Sequence, residues 1–139
     1  MKVKCIKDRA NNSYDPIFDW ARTMEQVDIS KGGIYTVLAI TKDDNKYFYY
    51  LLGDESNEYP LPFPSQMFEI IDSRVSKYWE YELATISTIE KLNINEDEVI
   101  SFPEWSLRKG FFYGEVIEED PIALSIFFKY RDLMLVEYE

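Results

Sequence analysis

The chain has 139 residues, a length typical of one domain and sufficient to bury a hydrophobic core without disulfides. Hydrophobic residues make up 46% and aromatic residues 17% of the sequence, which excludes a disordered protein, and charges interrupt every apolar run before it could span a membrane. A net charge of −11 predicts a surface that repels nucleic acid and anionic membranes and attracts basic partners.

The counts of two residue types narrow the chemistry further. Cys5 is the only cysteine, which excludes an internal disulfide, fits a reducing compartment and predicts a small buried side chain. Histidine is absent, and with it the Ser-His-Asp and Cys-His catalytic groups and the zinc sites built on imidazole. The basic start of the chain is not followed by the apolar segment of a secretory signal, so we expect a cytoplasmic protein. We predict no catalytic, metal or cofactor site.

Residues 1–75 are predicted to form short antiparallel strands. Gly32 and Gly33 make a turn that opens the central strand, and Asp43-Asp44-Asn45-Lys46 is typical of a hairpin turn. The predicted elements, in chain order, are an edge strand at 2–7, a long loop at 8–28, the central strand at 34–41, a strand at 47–52, a short strand at 58–61, a 3₁₀ turn at 62–67 and a last strand at 68–72.

This order of elements resembles an SH3-like barrel over residues 1–75. The resemblance rests on the strand opened by glycines, the tight hairpin and the single turn before the final strand. It implies a small antiparallel β-barrel. Members of that family that bind peptides line a groove with aromatic residues, to which Tyr14, Phe18 and Trp20 of the long loop compare.

Residues 76–100 allow two interpretations. Trp79, Tyr81 and Leu83 alternate as in a strand, whereas Trp79, Leu83, Ile86 and Ile89 have helical spacing. The abundance of Thr, Ile and Tyr favours extended structure. We therefore predict an extended or irregular connector.

Two helices are predicted in residues 101–139. Ser101 and Glu104 form a capping box, with Ser101 as N-cap of a helix that ends at about Glu118. Asp120 as N-cap and Pro121 as first residue start a second helix, which ends at about Val136. The predicted apolar faces contain Trp105, Phe112 and Val116 in the first helix, and Ile122, Ile126, Phe127, Tyr130, Leu133 and Met134 in the second. We thus predict an α+β fold in a single domain, residues 1–139: a barrel, a connector and a helical αα-hairpin packed on the barrel.

A second resemblance covers the C-terminal stretch. Its pattern is Ser101-Phe102-Pro103-Glu104-Trp105, then Phe112-Tyr113, then Ile126-Phe127 with Tyr130-Arg131. The pattern resembles small bacterial proteins of the toxin-immunity type. That resemblance implies a protein that binds and neutralises a toxin.

Acidic residues are concentrated in the second half of the chain. Residues 1–75 contain 9 basic and 12 acidic side chains, net −3, whereas residues 76–139 contain 6 and 14, net −8. Acidic clusters occur at Asp43-Asp44, Asp54-Glu55, Glu96-Asp97-Glu98 and Glu118-Glu119-Asp120. None matches the calcium-loop pattern, so solvated turns or a surface for a basic partner are the better interpretations. We predict Glu96, Asp97, Glu98, Glu118, Glu119 and Asp120 as partner-binding residues.

These observations predict a non-catalytic acidic binding protein. The first hypothesis is an immunity protein that sequesters a basic toxin domain such as a nuclease, recruited by electrostatic attraction. The alternative is an acidic mimic of nucleic acid, of the kind with which phages inhibit DNA-binding proteins. An enzyme that uses carboxylates and tyrosine is a third hypothesis, which substitution of the carboxylates would test.

Overall fold

A computed structural model describes residues 1–10, 12–15, 17, 20, 28–55, 58–79 and 94–137, and these residues have an α+β fold. The strands are β1 (Lys2–Cys5), β2 (Ile34–Thr36), β3 (Ala39–Asp43), β4 (Lys46–Leu51), β5 (Leu61–Pro64), β6 (Phe68–Asp72) and β7 (Val99–Ile100). The helices are a 3₁₀ helix at Ser65–Met67 and the α-helices α1 (Pro103–Arg108), α2 (Gly110–Ile117) and α3 (Pro121–Leu135). Over the described ranges, each helix is too short or too polar to traverse a lipid bilayer.

The strands form two antiparallel sheets, and no closed barrel is seen among the described residues. The first sheet has the order β2-β1-β6 and the second β5-β4-β3-β7. β1 is central in its sheet, so the predicted edge position is wrong. β7, which pairs with β3, lies in the segment predicted as a connector, most of which (residues 80–93) lies outside the described residues.

One extended segment passes from the first sheet to the second. Only Val37 and Leu38, both buried, separate β2 from β3. The Val37 N–H donates to the Met1 carbonyl oxygen (3.0 Å), and the Leu38 N–H donates to the Tyr50 carbonyl oxygen (2.8 Å). The predicted central strand is therefore shared between the sheets, because its backbone finds partners on both sides in turn.

The hairpin between β3 and β4 is confirmed at the predicted turn. Asp44 and Asn45 have φ values of 51° and 61°, the left-handed conformation that a two-residue hairpin turn requires and that Asn and Asp tolerate. The strand predicted at 58–61 instead forms β5, three residues later. β5 contains Pro62 and Pro64, which is possible because an edge strand needs no N–H donors on its outer side.

The core lies between the sheets and beneath the helices. Cys5 is completely buried, as predicted, and its thiol is free of any disulfide. Burial of Trp105, Phe112 and Val116 confirms the predicted apolar face before Glu118. In α3 the buried residues are Ala123, Phe127 and Met134, whereas Ile122 is 73% exposed, so the predicted face is only partly correct.

The helical tail has three helices instead of the predicted two. The helix expected up to Glu118 is broken at Lys109, which has φ 55° and ψ −132°, a conformation that side-chain-bearing residues rarely adopt. Gly110, a poor helix former, follows the break. The start of α3 is confirmed, because the Asp120 carboxylate accepts a hydrogen bond from the Ala123 N–H (2.9 Å) and Pro121 is the first residue.

Ser101 has a different role from the predicted one. The N-cap of α1 is Phe102, without a side-chain cap. The Ser101 hydroxyl is buried and donates to the Leu38 carbonyl oxygen at 2.7 Å. The predicted capping box is wrong because this carbonyl, brought close by the pairing of β7 with β3, takes the hydroxyl instead of a helix N–H.

Replacing Ser101 by asparagine distinguishes the predicted role as a helix N-cap from the observed role as a buried hydrogen-bond donor to the Leu38 carbonyl oxygen. Asparagine is as good an N-cap as serine, so a capping role predicts little change. At the buried position the larger side chain is overpacked, and we expect a loss of about 1 to 3 kcal/mol in the free energy of unfolding by urea. Ser125→Asn, on the exposed side of α3, is the control and should stay within about 0.5 kcal/mol. Unchanged stability of Ser101→Asn would contradict the buried role.

Candidate functional site

Three aromatic rings join the helical tail to the second sheet. Tyr50 of β4 lies edge-on to Trp105 of α1 (ring centroids 5.1 Å apart) and to Tyr113 of α2 (5.0 Å). Trp105 and Tyr113 are stacked, with centroids 5.6 Å apart and planes 5° from parallel. The Tyr113 hydroxyl donates to the Pro60 carbonyl oxygen at 2.7 Å, which fixes the ring against the loop before β5.

These rings form the floor of a cleft with a volume of about 480 Å³. Its rim contains four carboxylates, from Asp43, Glu96, Asp97 and Glu98, and two lysines, Lys42 and Lys109. The rim therefore has an excess of two negative charges. We call this feature the acidic cleft.

The four carboxylates of the acidic cleft do not have equal roles. The two oxygens of Glu96 accept hydrogen bonds from the Asp44 N–H (3.0 Å) and the Asn45 N–H (3.1 Å), so Glu96 holds the hairpin turn against the segment before β7. Glu98 accepts a hydrogen bond from the Asn95 side-chain amide at 2.5 Å. Asp43 and Asp97 are exposed and face solvent from the two segments that Glu96 joins.

The floor of the acidic cleft stays uncharged. Burial raises the pKa of the Tyr50 hydroxyl, a hydrogen bond to Thr41 opposes this, and the Asp43 carboxylate raises it further. Burial also raises the pKa of Tyr113, with added effects from Tyr50 and Tyr59. Both phenols thus keep their protons, and the site combines an anionic rim with a neutral aromatic floor. Such a site suits a cationic group, because low polarity below the rim strengthens its attraction to the carboxylates.

The predicted partner-binding residues fall into two places. Glu96, Asp97 and Glu98 all line the acidic cleft. Glu118, Glu119 and Asp120 form the turn between α2 and α3, where Asp120 caps α3 and Glu119 has φ 61°. Nothing in the sequence distinguishes the two clusters, whereas in the structure Glu96, Asp97 and Glu98 line the same cleft as Tyr50, Trp105 and Tyr113.

Two other carboxylates, those of Asp54 and Asp28, hold loops together through hydrogen bonds. The Asp54 carboxylate accepts hydrogen bonds from the Ser30 hydroxyl (2.6 Å) and the Tyr35 hydroxyl (2.7 Å), and Asp28 accepts one from the Glu55 N–H (3.1 Å). Within the described part of the chain, no three acidic or cysteine side chains converge as the ligands of a metal ion would.

Two of the three aromatic residues compared with a peptide groove, Tyr14 and Trp20, are among the described residues. Tyr14 is 94% exposed. Trp20 is partly buried and packs against Phe63, with centroids 5.6 Å apart. Phe18 lies outside the described residues.

Sequence reasoning missed Asp43, Tyr50 and Tyr113 as members of the site. Asp43 carried a signal as part of an acidic pair. Tyr50 lies in the strand predicted at 47–52 and Tyr113 in the helix predicted to end at about Glu118, and the two rings meet only when the tail folds onto β4. Comparison of the chain with protein-family models, with curated proteins and with solved structures finds no match.

Proposed function

We propose that this protein is a non-catalytic binding protein whose acidic cleft receives cationic side chains of a basic protein partner. The observation that carries the proposal is the placement of four carboxylates around a neutral aromatic floor. The net charge of −11 acts at longer range, because it attracts a basic partner and speeds its association.

Preorganisation supports this role. Because Glu96 ties the hairpin turn to the segment before β7, the segments that contain Asp43 and Asp97, which both line the cleft, are held together before any partner arrives. A guanidinium group placed between them could pair with both carboxylates, and arginine is the cation whose planar geometry suits such pairing. Little conformational entropy would then be lost on binding.

Among binding proteins, the function we favour is that of a cytoplasmic immunity protein that sequesters a basic toxin domain such as a nuclease. A nuclease binds a polyanion, so its active surface is basic and complementary to an acidic cleft. The single, buried and unpaired Cys5 is compatible with a reducing compartment. Co-expression of this protein should restore the growth of cells that produce its cognate toxin, and loss of that protection in Asp43→Asn/Asp97→Asn would link the protection to the acidic cleft.

We propose further that the two sheets are the halves of an SH3-like barrel, and that α2 and α3 form the helical hairpin. The extended segment shared by β2 and β3, and the 3₁₀ helix at Ser65–Met67 leading into β6, support the first part. Packing of α2 against α3 across the short turn after Ile117 supports the second.

The alternative, an acidic mimic of nucleic acid, is supported by the net charge alone. A mimic would displace duplex DNA from several unrelated DNA-binding proteins with similar affinity. An immunity protein would bind one cognate toxin tightly and leave the others on DNA. Competition against labelled duplex DNA, with a panel of such proteins, therefore separates the two functions.

Neutralising the two exposed carboxylates of the cleft tests the site directly. We expect Asp43→Asn/Asp97→Asn to weaken binding of a labelled nona-arginine peptide by about threefold to tenfold at low ionic strength, measured by fluorescence anisotropy. Glu118→Gln/Glu119→Gln removes the same charge from the other acidic cluster and is the matched control. Its effect should be smaller, because Glu118 and Glu119 are not among the residues that line the acidic cleft.

Two outcomes would count against the acidic cleft. Equal effects of the two double variants would mean that only the overall charge attracts the peptide. No binding of nona-arginine to the unaltered protein, even at low ionic strength, would remove the proposed preference for cations.

A further inference from the structure

We infer that Leu107 and Phe111 form an apolar anchor beside the acidic cleft, so that the partner is a basic surface in which an apolar side chain lies next to the cationic ones. The inference rests on the proposed function and deepens it. It concerns the surface formed by residues 107–111 at the break between α1 and α2, which we call the kink surface.

The kink surface exposes large apolar side chains. Leu107 is 73% and Phe111 83% exposed, and with Arg108, Lys109 and Gly110 they line a shallow concavity of about 720 Å³. Trp105 and Phe112, on either side of the break, are completely or almost completely buried and so hold both helices in place. The apolar pair is thus displayed by a rigid support, which is typical of residues that anchor protein interfaces.

The backbone at the break is in an unfavourable conformation. Lys109 has φ 55° and ψ −132°, in a region that residues with a side chain rarely adopt. Such conformations persist only where the surrounding packing holds them, and they are common at binding sites. Here the conformation of Lys109 separates α1, which contains Leu107, from α2, which contains Phe111.

The kink surface and the acidic cleft are continuous. Lys109 and Gly110 line both concavities. The Arg108 guanidinium pairs with the Glu115 carboxylate of α2 (Nη1 to Oε2 2.7 Å). A partner seated in the acidic cleft would therefore also cover the neighbouring apolar residues.

The negative charge of the protein indicates which kind of partner binds the kink surface together with the acidic cleft. A second copy of the chain would bring together two molecules of net charge −11, which repel each other. An anionic membrane would be repelled by the carboxylates of the adjoining cleft. A basic protein surface is attracted by the cleft and can bury Leu107 and Phe111 in the same contact.

Two peptides of equal charge test the inference. One alternates arginine with leucine and the other arginine with serine, at the same length. We expect the unaltered protein to bind the leucine peptide at least about tenfold more tightly. Leu107→Ser/Phe111→Ser should abolish that preference and leave the affinity for the serine peptide unchanged. Ile122→Ser, which alters a side chain of α3 with the same 73% exposure as Leu107, is the control and should keep the preference.

The outcomes separate this inference from the proposed function. Equal binding of both peptides overturns the apolar anchor while leaving the acidic cleft supported, whereas no binding of either peptide overturns both. Two other results would also overturn the inference. Dimerisation of the unaltered protein in analytical ultracentrifugation that is lost in Leu107→Ser/Phe111→Ser would assign the kink surface to a second copy of the chain. Binding to phosphatidylcholine–phosphatidylserine vesicles that is lost in the same variant would assign it to a membrane. Circular dichroism of each variant verifies that the fold is retained.

Discussion

Replacing Trp105 by alanine is expected to lower the free energy of unfolding by about 3 to 5 kcal/mol. The indole is 2% exposed and contacts rings from three parts of the chain: Tyr50 in β4, Phe102 before α1, and Phe112 and Tyr113 in α2. Its removal would leave a cavity where the helical tail meets the sheet. Because domains of this size are typically stable by only 5 to 15 kcal/mol, this loss is about a fifth or more of the total.

Urea unfolding monitored by far-ultraviolet circular dichroism measures this loss. Leu107→Ala is the matched control, since Leu107 lies in the same helix but is 73% exposed, and it should change the free energy by no more than about 0.5 kcal/mol. A loss below about 1 kcal/mol for Trp105→Ala would mean that the tail does not depend on this ring cluster. The acidic cleft would be affected as well, because Trp105 is part of its floor.

The second large effect is expected at alkaline pH. Burial raises the pKa of Tyr49 from 10.0 to about 12, and burial, with a smaller contribution from Asp54, raises the pKa of Tyr35 to about 12. The unfolded chain loses these protons at lower pH than the folded chain does. The stabilisation is therefore complete below pH 10 and is lost as the pH rises to about 12. Tyr49 alone should account for roughly 2 to 3 kcal/mol of this loss.

Urea unfolding at several pH values from below 10 up to 12 measures the slope, and tyrosinate absorbance reports the ionisation. Tyr49→Phe should flatten the pH dependence, because phenylalanine cannot ionise. Tyr14→Phe, at a side chain that is 94% exposed, should leave the slope unchanged. If the unaltered protein and Tyr49→Phe lose stability in parallel, the buried position of Tyr49 is contradicted.

The first prediction concerns the junction between the second sheet and the tail, where the candidate site also lies, whereas the second concerns Tyr49 and Tyr35, whose rings pack against Phe68 of β6. The acidic cleft forms only where the second sheet and the helical tail pack together. β4 contributes Tyr50, the turn before β7 contributes Asp97, and α2 contributes Tyr113. Binding and docking of the tail should therefore be coupled. A ligand that occupies the cleft should raise the apparent stability of the junction.

The features that were correctly predicted from sequence are local ones. The hairpin turn at Asp44-Asn45 and the N-cap Asp120 depend on residues within a few positions, whose backbone preferences act before any tertiary contact forms. Burial of Cys5, Trp105 and Phe112 follows from their apolar character. These rules also indicated the α+β class.

The errors occurred where a distant group competed with a local one. Ser101 has the sequence context of an N-cap, but the Leu38 carbonyl, 63 residues away in the chain, takes its hydroxyl. The structure also breaks the predicted helix at Lys109 and starts β5 three residues later than predicted. Local propensity is worth tenths of a kcal/mol to about 1 kcal/mol per residue, so one buried contact can override it.

By itself, the sequence determined the charge of the molecule, the absence of histidine chemistry, the hairpin turn at Asp44-Asn45, the start of α3 and the acidity of residues 96–98 and 118–120. The tertiary structure alone decided which acidic cluster lies beside an aromatic floor. Glu96 reaches the hairpin turn across 52 residues, and Tyr50 meets Tyr113 across 63 positions in the numbering. Contacts at such separations depend on the shape of the whole folded chain, and no local pattern encodes them.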